Sequence, residues 1–169
     1  MFQSFDATAR PDQGPPRLAR LRAEMVKAGL DGFLVPRSDA HQGEYVAPHD
    51  ERLAWLTGFG GSAGSAAILK DPKKGKGAAM FVDGRYTLQV RQQVSGQLYE
   101  YKSVPDDSMA DWLAENAGEG ARIAYDPWLH TRGWAKSVAK KLEAVGAELV
   151  PVESNPLDAV WADQPQPSD

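Results

Sequence analysis

Gly58-Phe-Gly-Gly-Ser-Ala-Gly64 packs four of the chain's 16 glycines between an apolar helical turn, Leu53-Ala-Trp-Leu56, and an apolar run, Ser65-Ala-Ala-Ile-Leu69. Glycine tolerates positive φ and lets one backbone approach another closely, so this stretch has to be a tight corner that leads from a helix into a strand. A corner of this kind can fix polar groups on a rigid frame. The surrounding segment adds a polar loop, Asp39-Ala-His-Gln-Gly-Glu-Tyr45, and a second corner, Asp83-Gly-Arg-Tyr86. Asp39 to Tyr86 is therefore the candidate functional region.

Upstream, residues 1–16 carry Pro11, Gly14, Pro15 and Pro16 without periodicity and are expected to form a flexible arm, with order beginning at Arg17. Leu18, Leu21, Met25 and Val26 recur at helical spacing, and Gly29 is placed to end that helix. Gly32-Phe-Leu-Val35 reads as a buried strand stopped by Pro36. Asp50 is suited to cap the short helix carrying Leu53, Trp55 and Leu56. Ser65–Leu69 and Ala78–Val82 pair as a hairpin across Asp71-Pro-Lys-Lys-Gly-Lys-Gly77. Tyr86, Val90 and Val94 then lie four apart on one helical face, which leaves Arg85 at the corner between strand and helix.

Downstream, Leu98–Val104 alternates at period two, as a half-buried strand does. Ser108 caps a helix with Met109, Trp112 and Leu113 inward, and Arg122–Tyr125 is a short strand turned by Asp126-Pro127. A helix from about Thr131 to Val145 follows, with Trp134, Val138, Leu142 and Val145 on one stripe, and Glu148–Val152 is a last strand. Helices and strands alternate except for the hairpin. The expected fold is α/β, a mixed central β-sheet with one hairpin and helices packed on it. After Leu157-Asp-Ala-Val-Trp161, a short amphipathic turn, the proline-spaced tail ending at Asp169 has nothing to bury and reads as a linker.

Composition narrows the function. A formal charge of −4 gives no general attraction to nucleic acid or an anionic membrane. The one basic cluster, Lys70, Lys73, Lys74 and Lys76, is broken by Asp71, Pro72 and Gly75 and reads as a solvated hairpin tip. Zero cysteines remove disulfides, zinc-thiolate sites and thiol nucleophiles. No apolar run reaches the ~18 residues needed to span a bilayer, and Met1 to Pro16 has no signal-peptide core, so a cytoplasmic location is expected.

Gly60-Gly-Ser-Ala-Gly64 matches G-x-S-x-G, the nucleophile elbow of serine hydrolases, with His130 downstream of it. That elbow needs a strand before the serine and a helix after it, and here the order is reversed. The same reversal removes Gly58-x-Gly60-x-x-Ala63 as a dinucleotide fingerprint. Asp39, His41, Glu44, His49 and Asp50 could supply metal ligands from one loop, against a bland reading as solvated or loop-bracing side chains. Arg85 has two readings of equal standing: it closes a salt bridge with Asp83, or it presents its planar fork to a carboxylate or peptide carbonyl. His130 has no partner visible in the sequence.

Pro36-Arg-Ser-Asp-Ala-His-Gln-Gly-Glu-Tyr45, Leu56-Thr-Gly-Phe-Gly-Gly-Ser-Ala-Gly64, Val82-Asp-Gly-Arg-Tyr86 and Asn155-Pro-Leu-Asp-Ala-Val-Trp161 together resemble the creatinase/prolidase-like N-terminal domain of three-domain Xaa-Pro aminopeptidases, in the M24 metallopeptidase group. The resemblance covers about Arg17 to Asp163. It implies an arm at 1–16, the domain at 17–153, and at 154–169 the start of a linker to a second domain that this chain lacks. It further implies an enzyme whose full-length form removes the residue before proline from peptides with proline at the second position. Two divalent metal ions, manganese in the family, belong to a C-terminal catalytic domain, so no catalytic or metal-ligating residue and no cofactor are expected here. Within the family's motif Arg85 is the substrate-contacting arginine, with the loop of Asp39, His41 and Tyr45 as a wall of the same pocket. Homodimers are common in the family. Two alternatives stand beside this reading: a free-standing peptide-binding or scaffolding module, and the N-terminal domain of a creatinase-like amidinohydrolase.

Overall fold

Period-two alternation in the central strands sorts their side chains into two buried layers, and the helices divide between them. The structure, a computed structural model, describes residues 14–36, 51–61, 64–70, 76–104 and 108–165. In chain order the elements are α1 (Gly14–Lys27), β1 (Gly32–Pro36), α2 (Arg52–Thr57), β2 (Ser65–Leu69), β3 (Ala78–Asp83), a 3-10 turn (Gly84–Tyr86), α3 (Thr87–Gln93), β4 (Glu100–Val104), α4 (Met109–Asn116), β5 (Arg122–Tyr125), α5 (Arg132–Glu143), β6 (Glu148–Pro151) and α6 (Pro156–Val160).

The strands form one six-stranded sheet in the order β4-β3-β2-β1-β5-β6. The β2–β3 hairpin is antiparallel and β2 also runs antiparallel to β1, whereas β3–β4, β1–β5 and β5–β6 are parallel. Every strand except β2 therefore points the same way, and the mixed sheet is the expected one. Phe33, Val35, Ala66, Ile68, Met80 and Val82 face a core filled by Leu18, Leu21 and Met25 of α1, Leu53 and Leu56 of α2, Val90 of α3 and Leu157 of α6. Leu34, Ala67, Leu69, Ala79 and Phe81 face the opposite layer, where Trp112 and Leu113 of α4 and Val138 and Leu142 of α5 close the second core. Close approach explains Gly32, because a Cβ there would lie 2.6 Å from the Ile123 Cδ1 atom on the neighbouring strand.

Three local readings change. Helix α1 starts at Gly14 rather than Arg17, because proline is tolerated in a first turn whose N–H groups have no intrahelical acceptor. Val145 leaves the α5 stripe and is 39% exposed, because the helix ends at Glu143 and Val145 falls in the turn before Gly146 (φ 79°). The segment read as the start of a linker opens inside the core. Asn155 caps α6 by accepting from the Leu157 N–H, Leu157 and Trp161 are buried, and Trp161 stacks on Trp55 with ring centroids 5.6 Å apart. The Arg52 guanidinium, itself buried, holds Asp158 through two bonds of 2.7 and 2.9 Å. At the hairpin, Lys70 pairs with Asp31 at 3.0 Å and the Lys76 ammonium donates to the Gly96 carbonyl. Lys73, Lys74 and Asp50 lie outside the described residues.

Candidate functional site

Because every strand but β2 runs the same way, the carboxyl ends of β1, β3 and β5 share one edge of the sheet with the entry to β2. Loops at that edge leave rigid strand ends, which makes it the usual place for ligand contacts in open α/β sheets. The glycine corner reaches it before β2, Arg85 follows β3, and the Asp126–His130 turn follows β5.

The corner is organised by Phe59. Its ring is 1% exposed, and a Cβ added at Gly61 would come within 2.3 Å of the ring Cζ atom and one at Gly64 within 2.9 Å of Cε2. Those glycines are glycines because the ring lies on them. Gly58 ends α2 in the left-handed conformation, φ 87°, with its N–H donating to the Ala54 carbonyl. The Thr57 hydroxyl donates to the Leu53 carbonyl and accepts from the Phe59 N–H, and the Gly60 N–H donates to Gln93 Oε1 of α3 at 2.8 Å. Helix α2 precedes the corner and β2 follows it, the reverse of a nucleophile elbow; Ser62 lies outside the described residues.

The same ring meets the second corner. Phe59 and Tyr86 contact edge to face, with centroids 5.9 Å apart at 89°, which fixes the residue after Arg85. Asp83 caps the 3-10 turn: its Oδ1 accepts from the Arg85 N–H at 2.9 Å and from Arg85 Nε at 3.2 Å. The Arg85 backbone N–H first, and its side chain second, hold the Asp83 carboxyl below the usual carboxylate range. The Arg85 guanidinium also lies 5.4 Å from the centre of the Tyr86 ring. Yet the side chain is 72% exposed, and its terminal nitrogens make no hydrogen bond to any described residue. The two readings of Arg85 are thus compatible, since Asp83 engages Nε and leaves the outer fork to solvent.

At the end of β5, Asp126 is buried; its Oδ1 accepts from the Trp128 N–H at 3.0 Å and its Oδ2 from Asn155 Nδ2 at 3.1 Å. His130 finds the partners its sequence context hides, stacking on Trp134 at 3.8 Å and meeting Tyr125 edge-on at 6.0 Å. Burial pushes its imidazole down to about 4, and the nearby Asp126 carboxylate opposes that shift. Its Nε2 is buried with no hydrogen-bond partner, which suits a neutral ring in a structural stack rather than a general base reaching substrate.

Asp39, His41 and Tyr45, with Glu44, His49 and Asp50, lie outside the described residues. Among the described residues no group of three or more His, Asp or Glu could hold a metal ion, so the metal pair implied for the family has no fit in them. Nor is any helix among them long and apolar enough to cross a membrane. A cleft of about 280 Å³ opens at the opposite, amino edge of the sheet, beside Asp31, Lys70, Asn116 and Glu119, far from Arg85. The Arg52–Asp158 and Asn155–Asp126 pairs are not visible in the sequence; the N-cap signal of Asn155 before Pro156 could have found the start of α6, and nothing local points to either pair.

The comparisons with known proteins agree with this architecture. Residues 17–160 match the family model described as the Creatinase/Prolidase N-terminal domain. The chain is 34% identical over 151 residues to Xaa-Pro aminopeptidase 2 of Rattus norvegicus, covering 89% of this chain and 22% of that protein. It is 38% identical over 154 residues to Aminopeptidase P1 of Lotus japonicus, covering 88% and 22%. Among solved structures, the X-prolyl aminopeptidase of Caenorhabditis elegans, described as a cytosolic enzyme with a di-nuclear active site, superposes with a TM-score of 0.82 at 28% identity, over 90% of this chain and 26% of that one. The N-terminal domain of the cytoplasmic peptidase PepQ of Mycobacterium tuberculosis superposes with a TM-score of 0.62 at 22% identity, over 86% of this chain and 98% of that one, a likeness of fold. The chain thus spans 22% of the length of those two curated relatives. The family model matches most of the chain, and this chain belongs to the creatinase/prolidase N-terminal domain family.

Proposed function

We propose that this chain is the non-catalytic N-terminal domain of a Xaa-Pro aminopeptidase and that Arg85 contacts the peptide substrate in the assembled enzyme. The observation that carries this reading is the Arg85 fork, exposed at the carboxyl edge of the sheet on a corner braced by Asp83 and by the Phe59–Tyr86 contact. A guanidinium so held offers paired donors to a peptide carbonyl or carboxylate at little ordering cost. The loop of Asp39, His41 and Tyr45 walls the same pocket, and the domain restricts access to short or unstructured peptide N-termini.

The longer enzyme removes the residue before proline by metal-dependent hydrolysis and works in the cytoplasm as a homodimer. Its two divalent ions, manganese, sit in the catalytic domain, where they supply an activated water and charge stabilisation. The domain read from the sequence as residues 17–153 takes in the docked segment up to Trp161 as well, and the residues after Trp161 lead toward a second domain. Neither nucleic acid nor membrane is a partner. The lengths of the curated relatives favour this reading over a free-standing module. The test is to incubate this chain and the full-length enzyme, each with Mn²⁺, with an Xaa-Pro peptide and separately with creatine. Only the full-length enzyme should release an amino acid, and only from the peptide. Release by this chain alone would place chemistry in the wrong domain, and hydrolysis of creatine would make the enzyme an amidinohydrolase.

A further inference from the structure

We propose that Gln89 and Gln93 of α3 extend the Arg85 contact into a subsite for the main chain of the peptide substrate, beyond the part that Arg85 reaches. The inference rests on the reading of Arg85 as a substrate contact. Arg85, Gln89 and Gln93 follow one another at intervals of four, so they share one face of the 3-10 turn and α3. On the neighbouring face Tyr86, Val90 and Val94 pack against the core. Gln89 and Gln93 lie half-buried along the flank of that stripe, with Arg85 exposed at its head.

Hydrogen bonding fixes which way both carboxamides point. The Gly60 N–H can only donate, so the Gln93 atom 2.8 Å from it is the oxygen, Oε1. That oxygen also lies 3.2 Å from Gln89, whose facing atom is therefore the donor, Nε2. The other ends are left over. Gln93 Nε2, a donor, and Gln89 Oε1, an acceptor, bond to no described residue, and both are open to solvent. Each side chain is anchored at one end and free at the other.

A free amide oxygen beside a free amide NH2 is the complement of a peptide unit, which offers one N–H and one C=O. Neither glutamine carries charge, so the pair is matched to main chain rather than to a charged side chain. The anchored ends hold both carboxamides in place, and little side-chain freedom remains to be lost when a peptide binds. Placement adds reach. Gln89 stands one helical turn past Arg85, roughly 6 Å along the axis, and Gln93 about 12 Å past it. A peptide that ends at the Arg85 contact leaves both amides to water, whereas three more residues in extended form add about 10 Å and reach them. The ladder therefore favours longer peptides over shorter ones.

Steady-state kinetics of the full-length enzyme test this on a tripeptide Xaa-Pro-Xaa and on a hexapeptide that begins with the same three residues. The variant is Gln89→Met, which keeps the length and helix propensity of the side chain and leaves the Gly60–Gln93 bond in place. The ratio of kcat/KM on the hexapeptide to kcat/KM on the tripeptide should fall about 3- to 10-fold, the effect of losing one neutral hydrogen bond. A merely structural role would lower both values alike and leave the ratio where it was. Arg85→Ala, measured in parallel, should lower kcat/KM on both peptides. An unmoved ratio in Gln89→Met beside an impaired Arg85→Ala would overturn the subsite and leave the functional reading standing. Arg85→Ala without effect on either peptide would remove that reading and the subsite with it.

Discussion

Phe59 and Tyr86 meet edge to face with ring centroids 5.9 Å apart, and this one contact ties the glycine corner before β2 to the Arg85 corner after β3. Phe59 also roofs Gly61 and Gly64, so glycine content and arginine placement are consequences of the same ring. Gly61→Ala forces its Cβ into the Phe59 ring and should cost about 1–3 kcal/mol. Phe59→Ala should cost about 3–5 kcal/mol. Urea unfolding of both variants checks the order, and a neutral Gly61→Ala would show that the corner relaxes freely.

Arg52 and Asp158 pair across the whole chain with Arg52 buried. Asp158→Ala removes two charge-assisted hydrogen bonds from a buried guanidinium and should destabilise the domain by about 1–3 kcal/mol. Removing residues 155–169 takes away Asp158, Leu157 and Trp161 together and should abolish the cooperative transition in thermal melts. A stable chain ending at residue 154 would restore the boundary read from the sequence.

His130 should give the domain an acid limb. Its ring is held near 4 in the folded state, below the ordinary value of about 6.5 in the unfolded chain. The unfolded state therefore binds the proton first. Stability is complete above about pH 6.5 and falls as pH drops toward 4, with a slope approaching 1.4 kcal/mol per unit in that window. His130→Phe keeps the Trp134 stack and should flatten the slope between pH 6.5 and 5. An unchanged slope would assign the acid sensitivity to the carboxylates.

Much of this fold is legible in the sequence because its signals are local. Helical stripes such as Leu18–Leu21–Met25, the period-two strands and the Ser108 cap depend on residues a few positions apart, and each appears where the spacing puts it. Arg85 was legible for the same reason, since Asp83-Gly84 ends one strand and the Tyr86–Val90 spacing begins the next helix. Contacts between distant segments were not. The pairing of Arg52 with Asp158 depends on α6 folding back beside α1 and α2, and no pattern near residue 52 announces it. Val145 continues the α5 stripe in sequence but not in space, because the helix ends two residues earlier.

The central claim is that Arg85 serves a substrate rather than the fold. Its ion pair with Asp83 is exposed, and such surface pairs add little to stability, so Arg85→Ala should leave the melting temperature of the 169-residue chain nearly unchanged. A hydrogen bond from a charged donor is worth about 1.5–3 kcal/mol, so kcat/KM of the full-length enzyme on an Xaa-Pro peptide should fall roughly 10- to 100-fold. An unchanged kcat/KM, or a loss of activity matched by a loss of stability, would contradict the account.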